Sequence, residues 1–171
     1  MGKTRKILGA LMVMGVFLVA DNAIAQTTTY VYTDASMMWS QMACNVDRGL
    51  VRQGADWRGD VQYTVQGNKI FQGFSSSGFD LAYTYRDGKL FIGESQFTDA
   101  ISYTFEQGEI YVGDSTYPLD LAYTIRPNPN YRGVLSIYSE DSISPLDIVA
   151  FLQGEPSEVE IFAILLTIAL L

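Results

Sequence analysis

Histidine is absent from the 171-residue sequence, and cysteine occurs once, at Cys44. Without an imidazole the chain cannot build a Ser-His-Asp or Cys-His catalytic group, an HExxH metal site or a histidine-ligated zinc centre. With a single cysteine it cannot form an intramolecular disulfide, and a small buried thiol is the expected role for Cys44. No glycine-rich phosphate-binding loop is present either. Several common catalytic chemistries are therefore excluded, and no cofactor is predicted.

Basic residues are also scarce, and three of them stand together near the N-terminus, at positions 3–6. An apolar run over residues 7–20 follows, and residues 23–25 give the small-x-small pattern that signal peptidase recognises. This pattern predicts a signal peptide over 1–25, cleavage before Gln26, and export to the periplasm, the outer membrane or the medium. An uncleaved membrane anchor is the alternative, but the run is shorter than the ~20 residues that a span needs.

The net charge is strongly negative. The whole chain carries 11 − 19 = −8, and removal of residues 1–25 takes away three basic residues and Asp21, which leaves 8 − 18 = −10. An acidic chain without a basic cluster in its sequence argues against nucleic acid or anionic lipid as a partner. A soluble, self-repelling surface is the expected consequence.

A Tyr-Thr dipeptide recurs every twenty residues along the chain, beginning at Tyr63, Tyr83, Tyr103 and Tyr123. A fixed period of this size is typical of repeat architectures, in which each unit is one supersecondary element. The period therefore fixes the structural unit, although it does not by itself indicate an activity.

Each central unit is predicted to be a β-hairpin. Asp87 and Gly88 are a favoured type I′ turn pair, because both central positions of that turn need positive φ. Folding the chain about this pair places Thr84 opposite Phe91 on one face, and Tyr83 with its alternate neighbours on the other. The neighbouring units keep this register about different turn pairs, Gln107-Gly108 and Gly67-Asn68.

Two weaker copies extend the array. One runs from Cys44 to Gly54, with Cys44 at the tyrosine position. The other runs from Tyr123 to Gly133, with Tyr131 at the position of Phe91, and its turn is disrupted by prolines. The domain over 26–171 is therefore predicted to hold five hairpin units, at about 44–62, 63–82, 83–102, 103–122 and 123–142.

The C-terminal segment, 144–171, is predicted to be helical. Ser144, Pro145 and Asp147 resemble a helix start and precede an apolar stretch that ends at Leu152. A capping-box pattern at 157–160 then introduces a run that is apolar from Ile161 to Leu171 apart from one threonine. We expect this run to lie along the axis of the ring, with membrane insertion or self-association through Ile161–Leu171 as alternatives, and the periodicity also fits a strand.

The aromatic-Thr strands, the Asp-Gly and Gly-Asn turns, the Gly-Asp-Ser linkers, the count of five and the apolar C-terminus together resemble bacterial five-fold β-flower proteins. The resemblance covers Cys44 to about Leu171, and the proline-broken last unit departs from it. It implies an all-β fold in which five repeated β-hairpins form a ring or barrel-like array around a short C-terminal helical apolar segment. It implies no catalytic residues.

An exported, non-enzymatic structural or binding protein of the cell envelope is the favoured function. Four aromatic residues stand at one equivalent position in successive units, like the aromatic ladders of choline-binding repeats: Phe71, Phe91, Tyr111 and Tyr131. They are candidate ligand contacts for a glycan or another envelope component, and packing between hairpins is the alternative.

Repeated carboxylates leave two further hypotheses open, a carboxylate-dependent hydrolase and a calcium site. The residues concerned are Asp60, Asp80, Asp120, Glu94 and Asp114. A glycosidase needs two carboxylates in different environments, whereas repetition supplies the same group in each unit. No EF-hand or glycine-rich nonapeptide spacing is present. Hydrogen bonds to turn amides explain these residues more simply, so we predict no enzyme activity and no metal site.

Overall fold

Twelve antiparallel strands and one helix make up the fold in the computed structural model, which describes residues 28–170. The strands are β1 (Thr29–Tyr32), β2 (Met42–Asp47), β3 (Leu50–Gln53), β4 (Val61–Gln66), β5 (Lys69–Gln72), β6 (Leu81–Arg86), β7 (Lys89–Ile92), β8 (Ile101–Glu106), β9 (Glu109–Val112), β10 (Leu121–Pro127), β11 (Val134–Ser139) and β12 (Ile148–Gln153). The helix is α1 (Glu158–Thr167). The predicted signal peptide lies outside the described residues.

The strands form a closed barrel in which each strand pairs with its neighbours along the chain and β12 pairs with β1. Five hairpins are contiguous in sequence, as predicted. The sixth is assembled from the two ends of the domain, with Tyr32 opposite Phe151. The all-β hairpin ring is therefore confirmed, and its predicted count of five is corrected to six.

The predicted short helix ending at Leu152 is wrong, because this segment is strand β12. Ser144 does cap a helical turn, but the turn is a single 3-10 turn, Pro145–Asp147, and the chain then becomes extended. Ser142 donates to Asp147 at 2.5 Å, as Ser115 donates to Asp120 at 2.5 Å in an earlier linker. The segment is therefore another inter-hairpin linker followed by another incoming strand.

The tight turns keep the predicted register. Thr84 pairs with Phe91 and Thr64 with Phe71, and Asp87 and Gly88 both have positive φ, as a type I′ turn requires. The fifth hairpin differs, because residues 128–133 separate its strands and shift its return strand by seven residues. The partner of Thr124 is consequently Tyr138.

Helix α1 lies inside the barrel, which confirms the axial position. A capping box starts it: the Ser157 hydroxyl accepts from the Glu160 amide while the Glu160 carboxylate accepts from the Ser157 amide. Phe162 is fully buried, and its ring lies 5.7 Å from that of Tyr85. Each of the twelve strands contributes an inner-face side chain to this core. In strand order they include Val31, Cys44, Val51, Val65, Ile70, Tyr85, Leu90, Phe105, Ile110, Ile125, Ile137 and Leu152.

The helix is anchored near both of its ends by tyrosine hydroxyls of the barrel wall. Tyr85 donates to the Glu158 carboxylate at 2.5 Å, and Tyr123 donates to the Leu170 carbonyl at 2.6 Å. Burial, and then the bond to Glu158, raises the pKa of Tyr85 above its ordinary value. Self-association through Ile161–Leu171 would require the helix to leave the barrel. No helix in residues 28–170 has the length and apolarity needed to cross a bilayer.

Candidate ligand groove

The aromatics that the sequence singled out are largely packed into the outer face of the barrel. Phe71, Phe91 and Tyr111 are 5%, 9% and 7% exposed. The Arg86 guanidinium carbon lies 4.5 Å from the centroid of the Phe91 ring and covers it from outside. A ligand could reach these rings only by displacing their neighbours, which favours the packing alternative.

Tyr131 is not equivalent to the other three, which corrects the alignment of the fifth unit. It lies 41% exposed in the loop between β10 and β11. Tyr138 takes the aromatic position instead: it is buried, it pairs with Thr124, and the Arg126 guanidinium carbon lies 5.9 Å from its ring. The six-residue loop, in place of a two-residue turn, accounts for the error.

The first contiguous hairpin, β2–β3, departs from this pattern. At the position of the buried aromatic it carries Arg52, which pairs with Asn45. Four of the other five hairpins hold a buried phenylalanine or tyrosine on their own return strand, and Tyr32 of β1 fills the place in the sixth. Because an arginine does not fill the place of an aromatic ring, the outer face is open here.

A groove of about 300 Å³ occupies this place. Its lining combines three aromatic rings with an amide, a carboxylate, a guanidinium and a hydroxyl: Thr28, Tyr30, Trp39, Asn45, Asp47, Arg52, Ala55 and Trp57. Both tryptophans of the chain are among these residues. A concave site with aromatic walls and a few convergent polar groups is typical of ligand-binding sites.

Strand pairing arranges the floor of the groove. Tyr30 is opposite Asn45 and Asn45 is opposite Arg52, so one row of outward side chains crosses β1, β2 and β3. Asp47 is two residues farther along the same face, and its carboxylate accepts from the Thr28 hydroxyl at 3.4 Å. The Asn45 amide donates to the Gly54 carbonyl at 2.9 Å, which fixes its orientation.

That bond also shows that Asn45 helps to hold the hairpin backbone together as well as lining the groove. In the regular units a threonine hydroxyl makes the same contact, for example from Thr84 to the Gly93 carbonyl at 2.6 Å. Asn45 replaces the threonine and keeps the bond. The floor is therefore rigid although its side chains differ from those of every other unit.

The walls come from the two linkers beside this hairpin. Trp39 begins a 3-10 turn, Trp39–Gln41, and its ring lies 6.5 Å from that of Tyr30. Trp57 follows Asp56, whose carboxylate accepts from the Arg58 amide at 2.9 Å and shapes the loop. Trp39 and Trp57 are 64% and 72% exposed, so their indole surface is available to a ligand.

Four of the five carboxylates behind the hydrolase and calcium hypotheses make local contacts. Asp80 and Asp120 each accept from a serine of the same linker, Ser75 at 2.6 Å in the first case. Glu94 and Asp114 form ion pairs with Lys69 and Lys89 of the neighbouring hairpins. Within residues 28–170 no three acidic, cysteine or histidine side chains come together as a metal site would need.

Cys44 lies beneath the groove on the inner face and is fully buried, as expected for a structural thiol. Burial raises its pKa to about 12. The thiol therefore stays protonated at neutral pH, and it contributes packing rather than nucleophilic chemistry.

The ring of six hairpins has a counterpart among known families. The family described as 6-fold beta flower protein matches residues 31–165, from strand β1 into helix α1. The chain belongs to this family. Its six-fold count agrees with the barrel, in which β1 and β12 supply the sixth hairpin.

Other comparisons add little to the beta-flower assignment. The chain matches an X-ray structure of a protein from Arabidopsis thaliana at 11% identity and a TM-score of 0.31, which is too low to carry an argument. That match covers 84% of this chain and 88% of the other. No curated protein matches the sequence. The activity of this beta flower has to be argued from its own groove.

Sequence reasoning missed Trp39 and Trp57, because it looked for binding residues among the repeats. The useful signal was a break in the repeat. Aligning Cys44 with Tyr83 already places Arg52 at the position of Phe91, the one contiguous unit where the aromatic becomes a charge. Both tryptophans flank that unit, and a local departure from a consistent pattern is where a functional site is expected.

Proposed function

We propose that this beta flower is an exported, non-enzymatic binding protein of the cell envelope, and that the groove over β1, β2 and β3 holds a glycan. The observation that supports it is the pair of exposed indoles, Trp39 and Trp57, above a floor of fixed polar groups. Aromatic faces pack on the apolar C–H faces of sugar rings, while amide, carboxylate and guanidinium groups bond to hydroxyls. Export rests on the signal-peptide pattern over 1–25.

The rigid frame fits binding better than catalysis. The interior is filled by α1, and the groove floor is fixed by β-ladder bonds and by the Asn45 side chain. The groove lining contains one carboxylate, Asp47, whereas glycoside hydrolysis by the usual route needs two. A site of this kind holds a ligand without acting on it.

Tryptophan fluorescence provides the test, because both tryptophans of the chain line the groove. The protein lacking residues 1–25 is titrated with cell-wall fragments and defined oligosaccharides. We expect a saturable change in emission, and roughly a tenfold loss of affinity in Trp57→Ala, since an aromatic contact contributes up to about 1.5 kcal/mol beyond the area it buries. Phe79→Ala is the matched control, because Phe79 is also an exposed aromatic residue and lies on another linker.

Absence of any saturable change across these ligands would remove the glycan function. Equal losses in Trp57→Ala and Phe79→Ala would show that the groove is not the site. Export is tested separately by fractionating cells that carry the full chain: a cytoplasmic, unprocessed product would contradict it.

A further inference from the structure

We infer that the groove selects an acidic saccharide, one that carries a carboxylate, and that Arg52 binds this carboxylate. The inference rests on the proposed glycan function and names the ligand class within it. It is carried by the distribution of paired and unpaired charges around the barrel.

Basic residues are few beyond residue 25: 11 − 3 = 8 remain. The ion pairs of residues 28–170 use Lys69, Lys89 and Arg126. Within the same described residues five arginines have no ion pair: Arg48, Arg52, Arg58, Arg86 and Arg132. Three of these five, Arg48, Arg52 and Arg58, belong to β2–β3 or the linker that follows it, so unpaired guanidinium groups are concentrated around the groove.

Arg58 reinforces this charge at the wall. Its guanidinium carbon lies 4.7 Å from the centroid of the Trp57 ring. An arginine stacked on an indole is held in place without consuming its charge in an ion pair. A ligand that packs on Trp57 therefore lies beside a guanidinium that no ion pair occupies.

Arg52 is placed to receive that group. It belongs to the groove lining and to the same cross-strand row as Tyr30 and Asn45. Asp47 also lines the groove, yet the two residues form no ion pair, so Arg52 is not neutralised from within the site. A guanidinium offers two parallel donors that match a carboxylate, and such bidentate pairs are both strong and directional.

Asp47 limits what else can bind. Its carboxylate already accepts from Thr28, and it can accept further from a sugar hydroxyl or an amide, but it repels a second negative group nearby. Both side chains are satisfied by a ligand that places one carboxylate against Arg52 and neutral hydroxyl or acetamido groups against Asp47. A densely anionic polymer with a charge on every unit fits this groove less well than a saccharide with isolated acid groups.

The experiment compares ligands that differ only in the acid. The protein lacking residues 1–25 is titrated with an oligosaccharide that contains muramic acid, with the same oligosaccharide after its carboxyl is reduced to the alcohol, and with a phosphate-bearing sugar. We expect the acid to bind about tenfold more tightly than its reduced form, since hydrogen bonds to a charged group are stronger than those to a neutral one. Arg52→Gln should abolish this difference, whereas Arg132→Gln, on an exposed loop and outside the groove lining, should keep it.

Equal binding of the acid and the reduced form would overturn the inference and leave the glycan function standing. Binding of neither would end the proposed function itself. Preference for the phosphate-bearing sugar would replace the carboxylate by another anion and overturn the ligand class. Selectivity that survives Arg52→Gln would overturn the role of Arg52, and unchanged melting of the variant shows that its fold is intact.

Discussion

Hairpins β2–β3 and β6–β7 share the same pairing register, but their outer faces differ: one is open and polar, the other filled by a buried aromatic ring. In β6–β7 the outer position opposite the threonine holds Phe91, buried beneath Arg86. In β2–β3 the equivalent residue is Arg52, and the surface above it is a groove. The ring therefore needs a filled outer face in most of its units but tolerates one opening. A pseudo-symmetric frame can host a single specialised site because the other units keep the frame rigid.

Placing a charge in the regular unit should have the largest effect. Phe91→Arg removes a buried ring and sets a guanidinium beside Arg86, so we expect the free energy of unfolding to fall by about 3–5 kcal/mol. Denaturant titration measures it. The reciprocal change, Arg52→Phe, should alter stability by less than about 1 kcal/mol and should abolish binding in the groove. A Phe91→Arg variant as stable as the parent would show that the two outer faces do not differ in the way described.

Alanine substitutions at the turn glycines should also distinguish these two hairpins, with the β4–β5 turn as a reference. A Cβ on Gly49 would lie 2.3 Å from the Val65 carbonyl oxygen, one on Gly88 would lie 2.8 Å from the carbonyl oxygen of Phe105, and one on Gly67 would meet nothing within 4 Å. Positive φ alone costs an alanine about 1–2 kcal/mol. Thermal melts should therefore rank the losses as Gly49→Ala, Gly88→Ala, Gly67→Ala, from largest to smallest. A loss at Gly67 that matches the loss at Gly49 would contradict the close approach.

The side-chain bond at the base of each of the five contiguous hairpins gives a smaller effect. Thr84→Val removes the donor to the Gly93 carbonyl and should cost about 1–2 kcal/mol, because a buried partner loses its hydrogen bond. Asn45→Thr restores the residue of the regular units and should cost less than about 0.5 kcal/mol, as substitutions that keep the local bonding do. A cost in Asn45→Thr as large as in Thr84→Val would mean that the asparagine serves more than the frame.

Cys44 and Tyr83 occupy equivalent inner positions, and the thiol gives the smallest effect at neutral pH. Its pKa is raised from 9.0 to about 12 by burial, so the folded state holds its proton where the unfolded state has lost it. Its contribution to stability is therefore complete below pH 9 and is lost as pH rises from 9 towards 12. At pH 8 a disulfide-exchange reagent should modify Cys44 only on unfolding, and Cys44→Ala should flatten the alkaline limb of the stability profile. Rapid labelling of the native protein would show the thiol to be accessible.

Local chemistry was predicted well from the sequence. The turn pairs, the register of Thr84 with Phe91, the burial of Cys44 and the axial helix all follow from rules that act over a few residues. Each of these turns needs positive φ at its glycine, and alternation of side chains along the strands then assigns every residue to a face.

The sixth hairpin and the groove were not predicted, because both are assembled from parts of the chain that lie outside the Tyr-Thr repeat. Strand β12 contains no Tyr-Thr pair, and its partner β1 lies at the other end of the domain. A local cue existed nonetheless, because the sequence Pro-Leu-Asp occurs at both Pro118–Asp120 and Pro145–Asp147, each time just before a strand. The groove had a cue in the break of the repeat at Arg52, but its walls could not be predicted, because Trp39 and Trp57 lie in linkers outside the Tyr-Thr repeat.

The pairing of β1 with β12 also dictates when the molecule becomes complete. Until β12 has been synthesised, β1 and β11 each expose an unpaired edge, which is a template for contact with other chains. Closure joins residues from opposite ends of the domain, and such long-range pairing is slow to form. Since β12 leads directly into α1, the strand that closes the ring also delivers its core. The folding chain is thus most vulnerable to aggregation before β12 joins the sheet, and factors that shield β edges during that interval should raise its yield.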